Sequence, residues 1–349
     1  MNKPKINRLI LASLLLLLLA GVISGCAPSV QEVAAENSES PIAVAQPTSA
    51  STSTQKSRAT LPIVVRSAGP SPVPSPTPGE TPAPQEVRFA VIGDYGAGGG
   101  PEADVAGLVE SWAPEFVLTV GDNNYPSGSA DTIDDHIGQF YHQFIDPYLG
   151  EYGEGADTNR FFPTLGNHDW DTPSAQPYLD YFSLPENERY YDFVWGPVHF
   201  FAIDSDSREP DGVSSSSLQA QWLQSRLGVS QSPWQIVYFH HAAYSSGLHG
   251  STAWMQWPFA AWGADAVLAG HDHTYERIFR DGIVYFVNGL GGGAKYYFGT
   301  PIEGSQFRYN EDYGAMLVEA GPERVLFQFI DRAGQVIDSY EVTASGAGN

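Results

Sequence analysis

Seven side chains able to bind a metal ion lie in five short segments of this chain, and that arrangement limits its possible folds more than any other sequence feature. The segments are residues 93–96, 121–125, 166–169, 237–240 and 270–273. Each follows an apolar, β-branched run, such as 89–92, 117–120 or 266–268, which predicts a buried strand. Because open α/β sheets place their sites beyond the carboxyl ends of strands, we expect the five segments to meet there.

The ordered series resembles the purple acid phosphatases, a branch of the calcineurin-like metallophosphoesterases, over residues 87–342. The residues that carry the resemblance are Asp94, Asp122, Tyr125, Asn167, His240, His271 and His273. The resemblance implies that a first metal binds Asp94, Tyr125 and His273, that a second binds Asn167, His240 and His271, and that Asp122 bridges the two. A lone Gly-Asp or Gly-His pair carries little information, whereas five segments in this order are specific.

The two expected ligand sets differ in charge. The first contains anionic oxygen from Asp94, Asp122 and an ionised Tyr125. Hard anionic oxygen favours a highly charged cation, and a phenol with an ordinary pKa of about 10 needs one to ionise near neutrality. The sequence therefore predicts Fe(III) in the first position. Imidazole and amide ligands in the second suit a divalent metal, with Fe, Zn and Mn left open.

Two such metals predict a hydrolase that releases phosphate from small phosphomonoesters by attack of a metal-bound hydroxide. His168, next to Asn167, and His249, nine residues after His240, match histidines of the family that contact the phosphate or the leaving group. We expect both to be catalytic, since imidazole suits general-acid work at neutral pH. For His249 the alternative is an ordinary residue of a surface loop.

Other polar residues near these segments have less defined roles. His241 follows a candidate ligand in a strand, so its side chain is expected on the opposite face, in a packing or hydrogen-bonding role. Asp169 and Asp272 can orient imidazoles, because metal-binding histidines usually donate their second N–H to an acceptor. Arg277 resembles part of a family motif, or forms an Arg–Glu pair. The remaining histidines are interpreted as structural: His136, His142 and His199.

The amino terminus has the pattern of a bacterial lipoprotein signal. Lys3, Lys5 and Arg8 precede the apolar run 9–20, and a small-residue segment ends at Cys26, the only cysteine. We expect residues 1–25 to be removed, and a lipid on Cys26 to anchor the protein in the bacterial cell envelope, outside the cytoplasm. A plain transmembrane anchor or ordinary secretory cleavage is the alternative.

The rest of the chain divides by composition. Residues 26–85 are rich in Ser, Thr and Pro and predict a disordered tether, whereas 86–345 suit one metallophosphoesterase domain. Helical patterns cover 102–112, 131–148 and 217–227, and residues 190–204 form a hairpin pattern with a turn at Gly196-Pro197. Strand patterns dominate after residue 273, at 274–279, 283–287, 315–319, 325–330 and 336–342. The family resemblance implies an α/β fold, a four-layer αββα sandwich of two mixed β-sheets flanked by helices.

The net charge of the chain limits the classes of substrate that it can bind. The formal net charge is −23, with 40 acidic and 17 basic residues, which disfavours binding to nucleic acid backbones. A small phosphate ester therefore remains the expected substrate. Two alternatives stay open: a phosphodiesterase or nucleotide pyrophosphatase with the same metals, and a non-catalytic metal- or phosphate-binding lipoprotein. The oligomeric state is not indicated.

Overall fold

Two mixed β-sheets form the centre of the structure, a computed structural model that describes residues 86–344. In chain order the strands are β1 (Val87–Ile92), β2 (Phe116–Thr119), β3 (Phe161–Pro163), β4 (Tyr191–Trp195), β5 (Val198–Ala202), β6 (Trp234–His241), β7 (Ala266–Gly270), β8 (Tyr275–Arg280), β9 (Ile283–Asn288), β10 (Ser305–Tyr309), β11 (Gly314–Ala320), β12 (Arg324–Asp331) and β13 (Val336–Thr343). The first sheet has the order β13-β12-β11-β1-β2-β3, and the second has the order β10-β8-β9-β7-β6-β5-β4. The predicted signal, Cys26 and the tether lie outside the described residues.

Helices flank the two sheets. They are α1 (Gly100–Ser111), α2 (Gln139–Tyr141), α3 (Gln176–Tyr181), α4 (Leu218–Val229) and α5 (Phe259–Trp262). The pattern over 217–227 corresponds to α4, where Ser217 caps the amino terminus by accepting a hydrogen bond from the Ala220 N–H at 3.1 Å. No helix within residues 86–344 combines the length and the apolar character needed to cross a membrane.

Aromatic side chains fill the space between the sheets. The Phe200 ring of β5 lies 5.1 Å from that of Phe89 in β1 and 5.3 Å from that of Phe116 in β2. The next residue, Phe201, belongs instead to a second apolar cluster that includes Leu223 of α4. Successive strand residues point to opposite faces, so the second sheet is buried on both sides. The expected sandwich of two mixed sheets with flanking helices is confirmed.

Two predictions about local structure have different outcomes. The hairpin is confirmed, because β4 and β5 pair antiparallel around Gly196 and Pro197. A continuous helix over 131–148 is wrong, since this segment contains a π-helical turn (Asp134–Gly138), α2 and a 3-10 turn (His142–Phe144). The edge strand β10 lies in a segment for which no strand was predicted.

Parallel pairing aligns the strand ends that carry the candidate ligands. β1 pairs parallel with β2, and β2 with β3, in the first sheet. In the second sheet β6 pairs parallel with β7. The carboxyl ends of parallel strands lie at the same edge, so each sheet presents its polar segments at one edge, as expected from the sequence.

Candidate metal centre

Three predicted ligands surround the hydroxyl group of Tyr125. Its Oη lies 2.9 Å from His273 Nε2, 3.0 Å from Asp122 Oδ2 and 3.4 Å from Asp94 Oδ1. His273 Nε2 is also 3.3 Å from Asp94 Oδ1. One ligand atom from each of Asp94, Asp122 and His273 can be chosen so that all three lie within 4.8 Å of one another. This group can hold a metal ion.

The other predicted ligands meet around the imidazole of His240. Its Nε2 lies 3.1 Å from Asn167 Oδ1, 3.2 Å from His271 Nδ1 and 3.3 Å from Asp122 Oδ2. The same Asp122 oxygen therefore adjoins both groups. All seven side chains singled out from the sequence converge on one site.

Hydrogen bonds fix the orientation of two of these histidines. His240 Nδ1 is 2.8 Å from the Val120 carbonyl oxygen, and His273 Nδ1 is 2.5 Å from that of Ala294. A carbonyl only accepts, so Nδ1 donates and Nε2 faces the site. Metal-binding histidines have this arrangement. The donor set therefore fits a metal.

Burial and charge set the protonation of the site. Burial lowers the pKa of His240, but the Asp122 carboxylate outweighs it and raises that pKa to about 10. Burial raises the pKa of Asp122, yet His240 holds it well below its usual range. Burial first, and then Asp122 and Asp94, raise the pKa of Tyr125. A bound cation favours ionisation of such a phenol, and metal binding releases protons from its ligands.

Three predicted ligands have a backbone conformation that is rare for residues other than glycine. The φ angles are 54° at Asp94, 52° at Asp122 and 72° at His271. Each such residue costs about 1–3 kcal/mol, and this kind of strain is concentrated at functional sites. Glycines allow the close approach: a Cβ on Gly166 would lie 2.2 Å from Asp122 Oδ1, and one on Gly270 2.5 Å from Asp94 Oδ2. The Gly-Asn and Gly-His pairs of the sequence are explained by this packing.

The two predicted catalytic histidines flank the ligand cluster. His168 Nδ1 is 2.6 Å from the Pro126 carbonyl oxygen, and its Nε2 is 4.0 Å from Asp122 Oδ2. The His249 ring stacks on the His271 ring with centroids 4.2 Å apart. His249 is therefore in contact with the site and is not a remote loop residue.

Comparison with known proteins agrees with this geometry. A family model described as calcineurin-like phosphoesterase matches residues 87–275, slightly more than half of the chain. The chain belongs to this family. The match contains all seven converging side chains together with His168 and His249.

The relatives of this calcineurin-like phosphoesterase include acid phosphatases. Human tartrate-resistant acid phosphatase type 5 is 26% identical over 254 residues, covering 61% of this chain and 74% of that protein. Purple acid phosphatase 4 of Arabidopsis thaliana is 26% identical over 298 residues, covering 74% and 84%. A purple acid phosphatase from yellow lupin seeds has a similar fold, with a TM-score of 0.60 at 18% identity over 75% of this chain and 54% of that one. The relatives imply a binuclear metal centre.

Two acidic residues of this calcineurin-like phosphoesterase have other partners than expected. Asp169 accepts hydrogen bonds at 2.8 Å from Gly166 N and from Asn123 Nδ2. Asp272 accepts at 2.7 Å from His249 N and at 2.5 Å from Ser245 Oγ. Neither accepts from an imidazole among the described hydrogen bonds. Both carboxylates accept hydrogen bonds from backbone N–H groups of the loops that carry site residues, and in this way they hold those loops in place.

His241 lies closer to the site than strand alternation predicts. Its ring centroid is 4.4 Å from that of His271 and 5.1 Å from that of His240. The pairing of β6 with β7 shifts register between Tyr238 and His241, which disturbs the alternation. The expected hydrogen bond exists, with His241 Nδ1 2.9 Å from Ser205 Oγ. Burial, followed by the neighbouring His240, lowers the pKa of His241 to about 3.

Arg277 and the three histidines interpreted as structural make local contacts. Arg277 forms an ion pair with Asp338 at 2.7 Å, and not with a glutamate. The three remaining histidines bind neighbouring polar atoms: His136 Nδ1 lies 2.9 Å from Asn124 Oδ1, His142 Nδ1 2.9 Å from the Gly138 oxygen, and His199 Nε2 2.7 Å from Asp192 Oδ2. These contacts agree with that interpretation.

Tyr296 is a site residue that sequence reasoning missed. Its ring stacks on the His273 ring, with centroids 4.1 Å apart and planes 8° apart, and lies 5.3 Å from the His249 ring. It belongs to the loop between β9 and β10, three residues after the glycine-rich segment 288–293. The sequence does not distinguish Tyr296 from its neighbours Tyr297 and Phe298, since only the path of the loop brings one of these rings to the site.

Proposed function

We propose that this protein releases phosphate from small phosphomonoesters with the help of two metal ions. Membership of the calcineurin-like family and the acid phosphatase relatives support a phosphoric-ester hydrolase. The observation that carries the finer proposal is the position of Asp122 Oδ2, 3.0 Å from Tyr125 Oη on one side and 3.3 Å from His240 Nε2 on the other. A carboxylate shared between two ligand groups suits a bridging role.

In this proposal Asp94, Tyr125 and His273 hold Fe(III), and Asn167, His240 and His271 hold a divalent Fe, Zn or Mn ion. Asp122 serves both. The assignment follows ligand chemistry, because anionic oxygens favour the higher charge and imidazoles suit divalent ions. When bound, the pair supplies a nucleophile near neutral pH and neutralises charge on the phosphoryl oxygens.

The chain itself would bind and orient the ester. His168 donates through Nδ1 to the Pro126 carbonyl, and as an imidazolium it would also donate through Nε2, 4.0 Å from Asp122, to a phosphoryl oxygen. His249 has its backbone N–H fixed by Asp272 and its ring against His271. We assign it the general-acid role, protonating the leaving oxygen, because the hydrogen bond at its backbone leaves the imidazole free to do so.

A substrate panel combined with metal analysis tests this function. We expect two metals per chain and a higher kcat/KM for p-nitrophenyl phosphate and an alkyl phosphate than for bis(p-nitrophenyl) phosphate, by about tenfold or more, since discrimination follows differential transition-state binding. Faster diester hydrolysis would favour the phosphodiesterase or nucleotide pyrophosphatase. Two bound metals without turnover of any ester would favour the non-catalytic lipoprotein.

We also propose that a lipid on Cys26 anchors the enzyme in the bacterial envelope. Support comes from the sequence: Lys3, Lys5 and Arg8, an apolar run, and the single cysteine of the chain after small residues. We expect Cys26→Ala to abolish incorporation of radiolabelled palmitate and to leave the protein soluble or uncleaved. Ser24→Ala, a matched small-residue change beside it, should still be labelled. Labelling of the Cys26→Ala protein would exclude this anchor.

A further inference from the structure

His271 differs from the other two candidate histidine ligands in how its ring is held. His240 and His273 each donate through Nδ1 to a backbone carbonyl, whereas His271 directs Nδ1 towards His240 Nε2 at 3.2 Å. Within residues 86–344 its Nε2 has no hydrogen-bond partner. Its backbone N–H is held by Asp94 Oδ2 at 3.0 Å, which fixes the main chain but not the ring.

Two other imidazoles contact the His271 ring and limit its rotation. The His249 ring stacks on His271 with centroids 4.2 Å apart and planes 28° apart. The His241 ring lies 4.4 Å from that of His271 at 46°. Rotation of the His271 ring about its side-chain bonds would bring it against these neighbours. Its orientation therefore depends on how firmly they are held.

His241 is held at two points by one hydroxyl group. Its backbone N–H donates to Ser205 Oγ at 2.8 Å, and its Nδ1 lies 2.9 Å from the same oxygen. Ser205 Oγ can donate its own hydrogen to Nδ1 or accept one from it, and in either case the same hydroxyl holds both the backbone and the ring of His241. Ser205 is buried, and its carbonyl accepts from Trp254 Nε1 at 3.1 Å.

We propose that His241 is a positioning residue, which Ser205 locks in place so that it keeps His271 Nδ1 directed at the second metal. The proposal rests on the proposed function, because it assumes that His271 is a ligand of that metal. Residues that support ligands in this way typically contribute about 10- to 100-fold in metal affinity.

The test measures divalent-metal affinity in the full chain by equilibrium dialysis against buffered Zn(II), with metals counted per chain. For His241→Ala we expect the second metal to bind about 10- to 100-fold more weakly, while the first is retained. Ser205→Ala should shift the same affinity in the same direction by less. Saturating Zn(II) should restore much of kcat, which a general loss of structure would not allow.

His199→Ala is the matched control. His199 is also a mostly buried histidine of the second sheet, bonded to Asp192 and Ser230, but its neighbour in the pairing of β5 with β6 is Gln235, six residues before His241. The His199→Ala variant should bind both metals with the affinities of the unmodified protein.

Unchanged affinity of the second metal in His241→Ala would overturn the proposal. If that variant does not fold, Ser205→Ala decides, and unchanged affinity there has the same consequence. Failure of the unmodified protein to bind two metals is a separate result, because it would contradict the proposed function itself.

Discussion

Asp122→Ala should lose both metals and its activity together. The carboxylate adjoins Tyr125 and His240 through one oxygen, and its other oxygen accepts from His168 N at 2.9 Å. Its removal leaves neither ligand group complete. The loss of activity should exceed the about 10- to 100-fold that follows removal of residues that only support metal ligands. Metal content by mass spectrometry and the rate on p-nitrophenyl phosphate measure both effects.

Asp265→Ala is the control for this variant. Asp265 precedes β7 and accepts a hydrogen bond from Gln235 N at 2.7 Å, at the end of the strand opposite to His271. The Asp265→Ala variant should keep two metals per chain and most of the activity. Two metals per chain in Asp122→Ala would show that this residue does not bridge the metals.

The sequence was sufficient to predict that the candidate ligands cluster, because most of them lie at a strand end or within a few residues of one. Parallel pairing places the carboxyl ends of neighbouring strands at the same edge of each sheet. Gly166 and Gly270 add a local signal, since only glycine fits against Asp122 and Asp94 at these distances. The division of the site into two halves, with Asp122 between them, was implied by the family resemblance and not by the strands alone.

Contacts that depend on irregular backbone were not predictable. The contact of His241 with His271 depends on a register shift at the end of β6. The regular alternation of strand residues does not predict such a shift. The segment 131–148 has apolar residues at helical spacing, yet Asp134 Oδ1 accepts hydrogen bonds from Tyr148 and Tyr181 at 2.7 Å. Such contacts between distant residues override local helix propensity.

His249→Ala should separate catalysis from metal binding. If His249 protonates the leaving oxygen, kcat falls by about 10- to 10,000-fold, the range of a well-placed general acid. Both metals should remain bound when the divalent metal is saturating, because His249 is not among the seven candidate ligands and only packs against one of them, His271. Leu248→Ala, which changes an exposed neighbour, should have a kcat close to that of the unmodified protein.

The leaving group decides what His249 does. p-Nitrophenolate needs little protonation when it departs, whereas an alkoxide needs a proton, so the loss in His249→Ala should be smaller for the aryl than for the alkyl phosphate. Measuring kcat for both esters in both proteins makes the comparison. Equal losses would identify a residue that positions the phosphate, since its contribution would not depend on the leaving oxygen. Unchanged kcat on both esters would mean that stacking on His271 is a packing contact without a catalytic role.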